Sequence, residues 1–225
     1  MSIAIIAYGS LIWDEECLAP HIHGGWRRGA GPRLTVEFSR ISPKRKGALV
    51  LVVDPAARAV PTSVTASRRA RLIEAARDLA RRERAPEEAI GIAEKGGRAF
   101  NCDEATGRRV LSWLERQETF RAAVWTHLPA NFEAETGRPF SFEAGVAWLR
   151  GLKGDALFEA WRYIHQAPKE TDTAFRRHLA GHPFWQTLCA RFGRAAQDPR
   201  ARSPLSENSE SMMLPPNRPE KKDFS

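Results

Sequence analysis

The chain has 225 residues, of which 42% are hydrophobic, with 35 Lys and Arg against 27 Asp and Glu for a net charge of +8. That length and apolar content suit a globular protein with a proper core and exclude a wholly disordered chain. No apolar run reaches the length of a membrane span and the first is too short for a signal peptide, so a cytoplasmic protein with no membrane partner is expected. Cys17, Cys102 and Cys189 are too few and too far apart for a disulfide framework or a zinc pattern.

In chain order, Ile3–Tyr8 is an apolar run that breaks into Gly9-Ser10, as a buried strand ending in a tight turn would. Glycine permits a sharp turn, and clustered main-chain N–H groups there suit a carboxylate or a developing oxyanion. Leu34-Thr35-Val36-Glu37-Phe38 alternates with period two, as a half-buried strand should. Ala48–Val53 is apolar throughout, the mark of a central strand, and Asp54-Pro55 ends it. Lys44-Arg45-Lys46-Gly47 between these runs reads as an exposed hairpin tip whose charge needs no function.

Further strands are expected at Ala89–Ala93 and Arg121–Trp125. Helices are expected at Ser67–Arg84, Ala105–Arg116, Phe142–Leu152, Asp155–His165 and Thr173–Phe192, the last broken at Gly181-His182-Pro183. Strands first and helices later favour an α+β arrangement over regular βαβ winding. Trp125, Trp148, Trp161 and Trp185 fall at packing positions. From Ala196 the chain turns to Ser, Pro, Asn and Glu, so residues 196–225 are expected to be a disordered tail. That tail carries equal numbers of basic and acidic residues, which leaves the positive excess in the folded part, densest at Arg27–Lys46 and Arg68–Arg84. A basic surface can steer acidic ligands. Motifs for nucleic-acid recognition are absent, and no specific nucleic acid is expected as a partner.

One carboxylate stands out. Advancing about 100° per residue along Ser67–Arg84 puts Leu72, Ala76, Leu79 and Glu83 within about a 60° sector, the face that should meet the core. Glu74, Arg77, Asp78, Arg81 and Arg84 point elsewhere, while Arg68 and Arg69 spoil the stripe unless the helix starts later. A carboxylate facing the core is a natural proton carrier, because burial disfavours its charged form. Two other constellations are weaker. Ser10 with His21 or His23 lacks the glycine pattern of a nucleophile turn, since Tyr8 and Ile12 stand where glycines belong. Cys17 with His21 and His23 lacks a second ligand pair for a metal.

Tyr8-Gly9-Ser10-Leu11-Ile12-Trp13 after a first strand resembles the signature of the γ-glutamylcyclotransferase superfamily. Leu34–Ser42 and Ala48–Pro55 are similar to the strands that follow in bacterial members. Leu79-Ala80-Arg81-Arg82-Glu83 resembles the segment that ends in the family's catalytic glutamate, and Tyr163–Arg176 a helical region of some relatives. The resemblance spans Ile3–Arg176 and is patchy between Gly96 and Glu118. Ala80 stands where many members have Asp, and Arg84 where Gly is common.

The resemblance implies a γ-glutamylcyclotransferase-like mixed β-barrel or sheet with packed helices over residues 1–128, and a helical C-terminal extension over 129–195. It implies cyclisation of a γ-glutamyl group to 5-oxoproline with release of an amine or amino acid, with no metal and no cofactor. Glu83 would be the general acid and base. The N–H groups of Gly9, Ser10 and Leu11 would hold the α-carboxylate of a small γ-glutamyl substrate, with Tyr8 as a wall or hydrogen-bond partner. The alternative is a non-catalytic metabolite-binding module of the same fold.

Overall fold

The N-terminal apolar run forms strand β1 (Ser2–Ala7) in a computed structural model that describes residues 1–197. Its side chains alternate between two hydrophobic clusters: Ala4, Ile6 and Tyr8 join one, while Ile3, Ile5 and Ala7 join the other. Both faces of the strand are therefore covered, and the run has no polar alternation because it has no solvent face.

The chain continues through β2 (Ile22–Arg27), β3 (Leu34–Ser42), β4 (Ala48–Val53), β5 (Ala59–Val60) and β6 (Ser63–Ser67) to helix α1 (Leu72–Glu83). Then come β7 (Ile90–Glu94), β8 (Ala99–Phe100), α2 (Glu104–Glu115), β9 (Phe120–Thr126) and the short α3 (Phe132–Thr136). Helices α4 (Phe142–Gly151), α5 (Gly154–Gln166), α6 (Ala174–Ala180) and α7 (Pro183–Gln197) complete the described chain. The molecule is thus α+β.

Six strands form a mixed sheet in the order β2-β6-β1-β9-β7-β8, with β1 and β9 parallel at its centre and the other ladders antiparallel. A second antiparallel sheet has the order β4-β3-β5, and neither ladder closes into a barrel. The second sheet and the C-terminal helices share the larger cluster with one face of the six-stranded sheet, and α1 covers the other face through Ala75, Ala76, Leu79 and Ala80. Among the described residues no helix is long and apolar enough to cross a membrane.

Four expectations need correction. β4 is the edge of its sheet and β3 the centre; β4 is apolar throughout because α5 packs on it. Glu37 is buried, because α6 closes over its face of β3; its carboxylate accepts the N–H groups of Phe38 at 3.0 Å and Phe175 at 3.1 Å. The first helix starts at Leu72, since Ser67 closes β6, which takes Arg68 and Arg69 off the helical stripe. β2, β5, β6, β8 and α3 are additional elements. The break at Gly181-His182 separates α6 from α7 where expected. Trp125, Trp161 and Trp185 are buried, and Trp148 is half-buried with its indole N–H on the Gly47 carbonyl. Of the expected tail, Ala196 and Gln197 end α7, and residues 198–225 lie outside the described part.

Candidate active site

β1 delivers Tyr8 and Gly9 into a single 3₁₀ turn at Ser10–Ile12, anchored in the core by buried Leu11 and Ile12. The Ile12 N–H donates to the Gly9 carbonyl at 3.2 Å and the Trp13 N–H to that of Ser10 at 3.1 Å. The amides of Ser10 and Leu11, first in the turn, have no acceptor within it. Gly9 is required by proximity: a Cβ there would lie 2.7 Å from the Tyr163 hydroxyl. Tyr163 comes from α5, and the N–H groups of Ser10 and Leu51 both point at its hydroxyl oxygen, the latter at 3.4 Å.

α1 supplies the other wall. Its last residue is Glu83, after which Arg84 adopts φ +52° and its N–H caps the Arg81 carbonyl at 3.2 Å. A carboxylate at a helix C-terminus sits at the negative end of the dipole and needs a compensating cation. That cation is Arg82, whose guanidinium donates to Glu83 Oε1 at 2.8 Å. Arg82 is 1% exposed, and its other donors reach the Asp14 carbonyl and, at 3.4 Å, Ser10 Oγ. One buried cation therefore ties the glycine-serine loop to the glutamate. Arg84 turns outward to Glu16 at 3.3 Å.

These parts surround a cleft of about 310 Å³ lined by Tyr8, Gly9, Ser10, Leu11 and Glu83 together, with Tyr163 also in its lining. All five residues singled out from the sequence thus meet in one place. Glu83 is the one carboxylate of the lining, against the cations Arg40, Lys44, Arg45, Arg82 and Arg84, and the lining has no histidine or cysteine. The Tyr8 hydroxyl donates to the Thr126 carbonyl at 2.6 Å, which commits its proton and leaves Tyr8 as a wall whose oxygen can still accept. Burial, reinforced by the charge of Glu83, pushes the Tyr8 hydroxyl far above its ordinary value, and burial also raises Tyr163. Both stay protonated at neutral pH. An anionic ligand with one group to deprotonate fits this chemistry better than a cationic one.

Three residues of the cleft had no signal of their own in the sequence. Arg45 belongs to the turn read as an exposed tip, yet it is buried between Glu159 at 2.8 Å and Asp14 at 3.3 Å, with its guanidinium 5.0 Å from the centre of the Tyr163 ring. Arg82 and Tyr163 are the others; each stood inside a family-like segment, with no role assigned to it. Asp78, read as outward-facing, is buried and held two-pronged by Arg69 at 2.6 and 3.1 Å. His21 lies 3.8 Å from that same carboxylate, and neither it nor His23 lines the cleft, so no serine–histidine pair forms with Ser10. Compared with family models, with curated proteins and with solved structures, the chain gives no match in any of the three.

Proposed function

We propose that the chain cyclises the γ-glutamyl group of a small γ-glutamyl compound to 5-oxoproline, releasing an amine or amino acid. The observation that carries this reading is the meeting of Tyr8, Gly9, Ser10, Leu11 and Glu83 in one cleft, with Glu83 its sole carboxylate. The resemblance of the loop and of the Glu83 segment to γ-glutamylcyclotransferases supports it.

The chemistry asks little of a protein. Nucleophile and electrophile belong to one molecule, so holding the chain curled already supplies a large effective molarity. The substrate's α-carboxylate would take the loop amides, that of Ser10 in place of the Tyr163 hydroxyl it now faces, backed by the cations around the cleft. Glu83 then removes a proton from the α-ammonium, and the amine attacks the γ-carbonyl carbon to close a five-membered ring. As the tetrahedral intermediate collapses, the bond to the leaving nitrogen breaks and Glu83 returns the proton to that nitrogen, while the ring nitrogen releases its second proton to solvent, where the departing amine takes one up. Such a proton shuttle is worth roughly 10²–10⁴-fold. Arg82 would aim the carboxylate and stabilise its charge before the first transfer and after the second.

The same ion pair gives some support to a second reading. A glutamate already held by a buried guanidinium suits a binding module that senses an acidic metabolite and performs no reaction. Incubating the protein with glutathione, γ-glutamyl amino acids and γ-glutamyl amines while following 5-oxoproline separates the two. Product formation supports the enzyme, and ligand binding without product supports the module.

A further inference from the structure

A second cavity of about 410 Å³ lies outside the cleft, between α2 and the segment leading into β3. Its helical wall is a single stripe, Ala105, Arg108, Arg109, Ser112 and Arg116, at i, i+3, i+4, i+7 and i+11. The small residues leave room, and the arginines stand around it. Arg33 faces them from the opposite wall, and no carboxylate belongs to the lining.

The frame is held in place. Trp113 lines the cavity, is buried, and donates its indole N–H to the Ala30 carbonyl at 3.0 Å. The opposite wall is pinned by the Gly31 N–H on the Thr62 carbonyl at 2.9 Å and the Thr62 hydroxyl on the Pro32 carbonyl at 2.6 Å. Arg33 donates to the Ala59 carbonyl at 2.7 Å and Arg116 to Ser112 Oγ at 2.9 Å. Arg108 pairs with the exposed Glu104, and Arg109 has no hydrogen-bond or ion-pair partner among the described residues. A guanidinium carries five N–H donors, so each of the four keeps several to offer.

We infer that this groove binds a small molecule carrying two or more phosphate groups. Four guanidinium groups with no carboxylate in the lining favour dense negative charge, and planar forks suit phosphate oxygens. Arg109 and Arg116 are about 11 Å apart along the helix at 1.5 Å per residue, so one anionic group cannot satisfy the stripe. Single-stranded nucleic acid fits less well, because it needs exposed aromatic platforms. The large hydrophobics exposed among the described residues are Met1, Ile73 and Phe100, and none lines the groove.

Calorimetric titration of the full chain with inorganic tripolyphosphate tests this, with citrate and a single-stranded oligonucleotide in parallel. Tripolyphosphate should bind at one site, and Arg109→Gln and Arg116→Gln should each weaken it about tenfold. Arg109→Lys, which keeps the charge and loses the fork, should fall between wild type and Arg109→Gln. Both positions are exposed, so the three variants should fold as the wild type does. Unaltered binding by both glutamine variants, or no binding by the wild type, would overturn the site. Citrate binding as tightly would overturn the phosphate class, and tighter oligonucleotide binding that both variants weaken would overturn the small-molecule assignment.

Discussion

Arg82 and Glu83 are neighbours in the chain and partners in space: the Arg82 guanidinium donates to Glu83 Oε1 at 2.8 Å while it also holds the Asp14 carbonyl. Adjacent residues on a helix diverge by about 100°, so the contact needs two long side chains bent toward each other at the helix end. Arg82→Met removes the link between loop and helix and leaves the glutamate without its cation. Loss of one partner of a buried pair costs about 3–5 kcal/mol, and the partial exposure of Glu83 sets this case at the low end. Urea denaturation should show a lower midpoint at unchanged slope.

Gly9 and Tyr163 make a steric pair. Gly9→Ala puts a methyl 2.7 Å from the Tyr163 hydroxyl, so the loop or α5 must shift. The cost should be about 1–3 kcal/mol, as for other overpacking changes. Tyr163→Phe removes the obstructing oxygen, and in that background Gly9→Ala should cost clearly less. A double-mutant cycle measures the difference, and strict additivity would show that the two do not touch.

Burial pushes the Glu37 carboxyl above its ordinary value of 4.5, against the hydrogen bonds from Thr173, Phe38 and Phe175. Between the ordinary and the raised value the folded protein keeps a proton that the unfolded chain has released. The Glu37 contribution is therefore fully present below the ordinary glutamate value and is lost as pH rises through the raised one. Glu37→Gln should lack this component of the fall, seen by measuring unfolding midpoints from acid to neutral pH. At neutral pH the same variant should be about 1–3 kcal/mol less stable, because an amide N–H₂ then faces backbone N–H donors.

Arg45→Lys keeps the charge but cannot reach Glu159 and Asp14 together while covering the Tyr163 ring. A loss of about 2 kcal/mol is expected for the lost charge-assisted bond. Thermal unfolding checks it, and a variant as stable as the wild type would return Arg45 to the exposed tip its sequence suggested.

What could be read from the chain follows from which signals are local. β1 was legible because an apolar run ends at Gly9, and Glu83 because helical phase sets it one turn beyond Leu79. β2 and β6 were not, since Gly24-Gly25 and Ser63-Val64-Thr65-Ala66-Ser67 carry little apolar periodicity and are strands by virtue of the ladders on either side. Glu37 alternates correctly for a solvent face and is buried by a helix 137 residues later in the chain. Arg45, Asp78 and Arg82 are charged residues buried by partners that pattern alone does not reveal: Glu159, Arg69 and the Asp14 carbonyl. Tyr163 reached the site only because α5 packs on β4 and carries it to the loop.

The most direct test compares wild type and Glu83→Gln for 5-oxoproline release from a pool of γ-glutamyl compounds, by mass spectrometry. Glu83→Gln keeps an oxygen that can accept from Arg82, so the variant should still fold, and its lowered unfolding midpoint is measured as the control. The account predicts product from the wild type and a loss of roughly 10²-fold or more in the variant. Full activity in Glu83→Gln would remove the glutamate from the mechanism, and no product from either protein would contradict the proposed reaction.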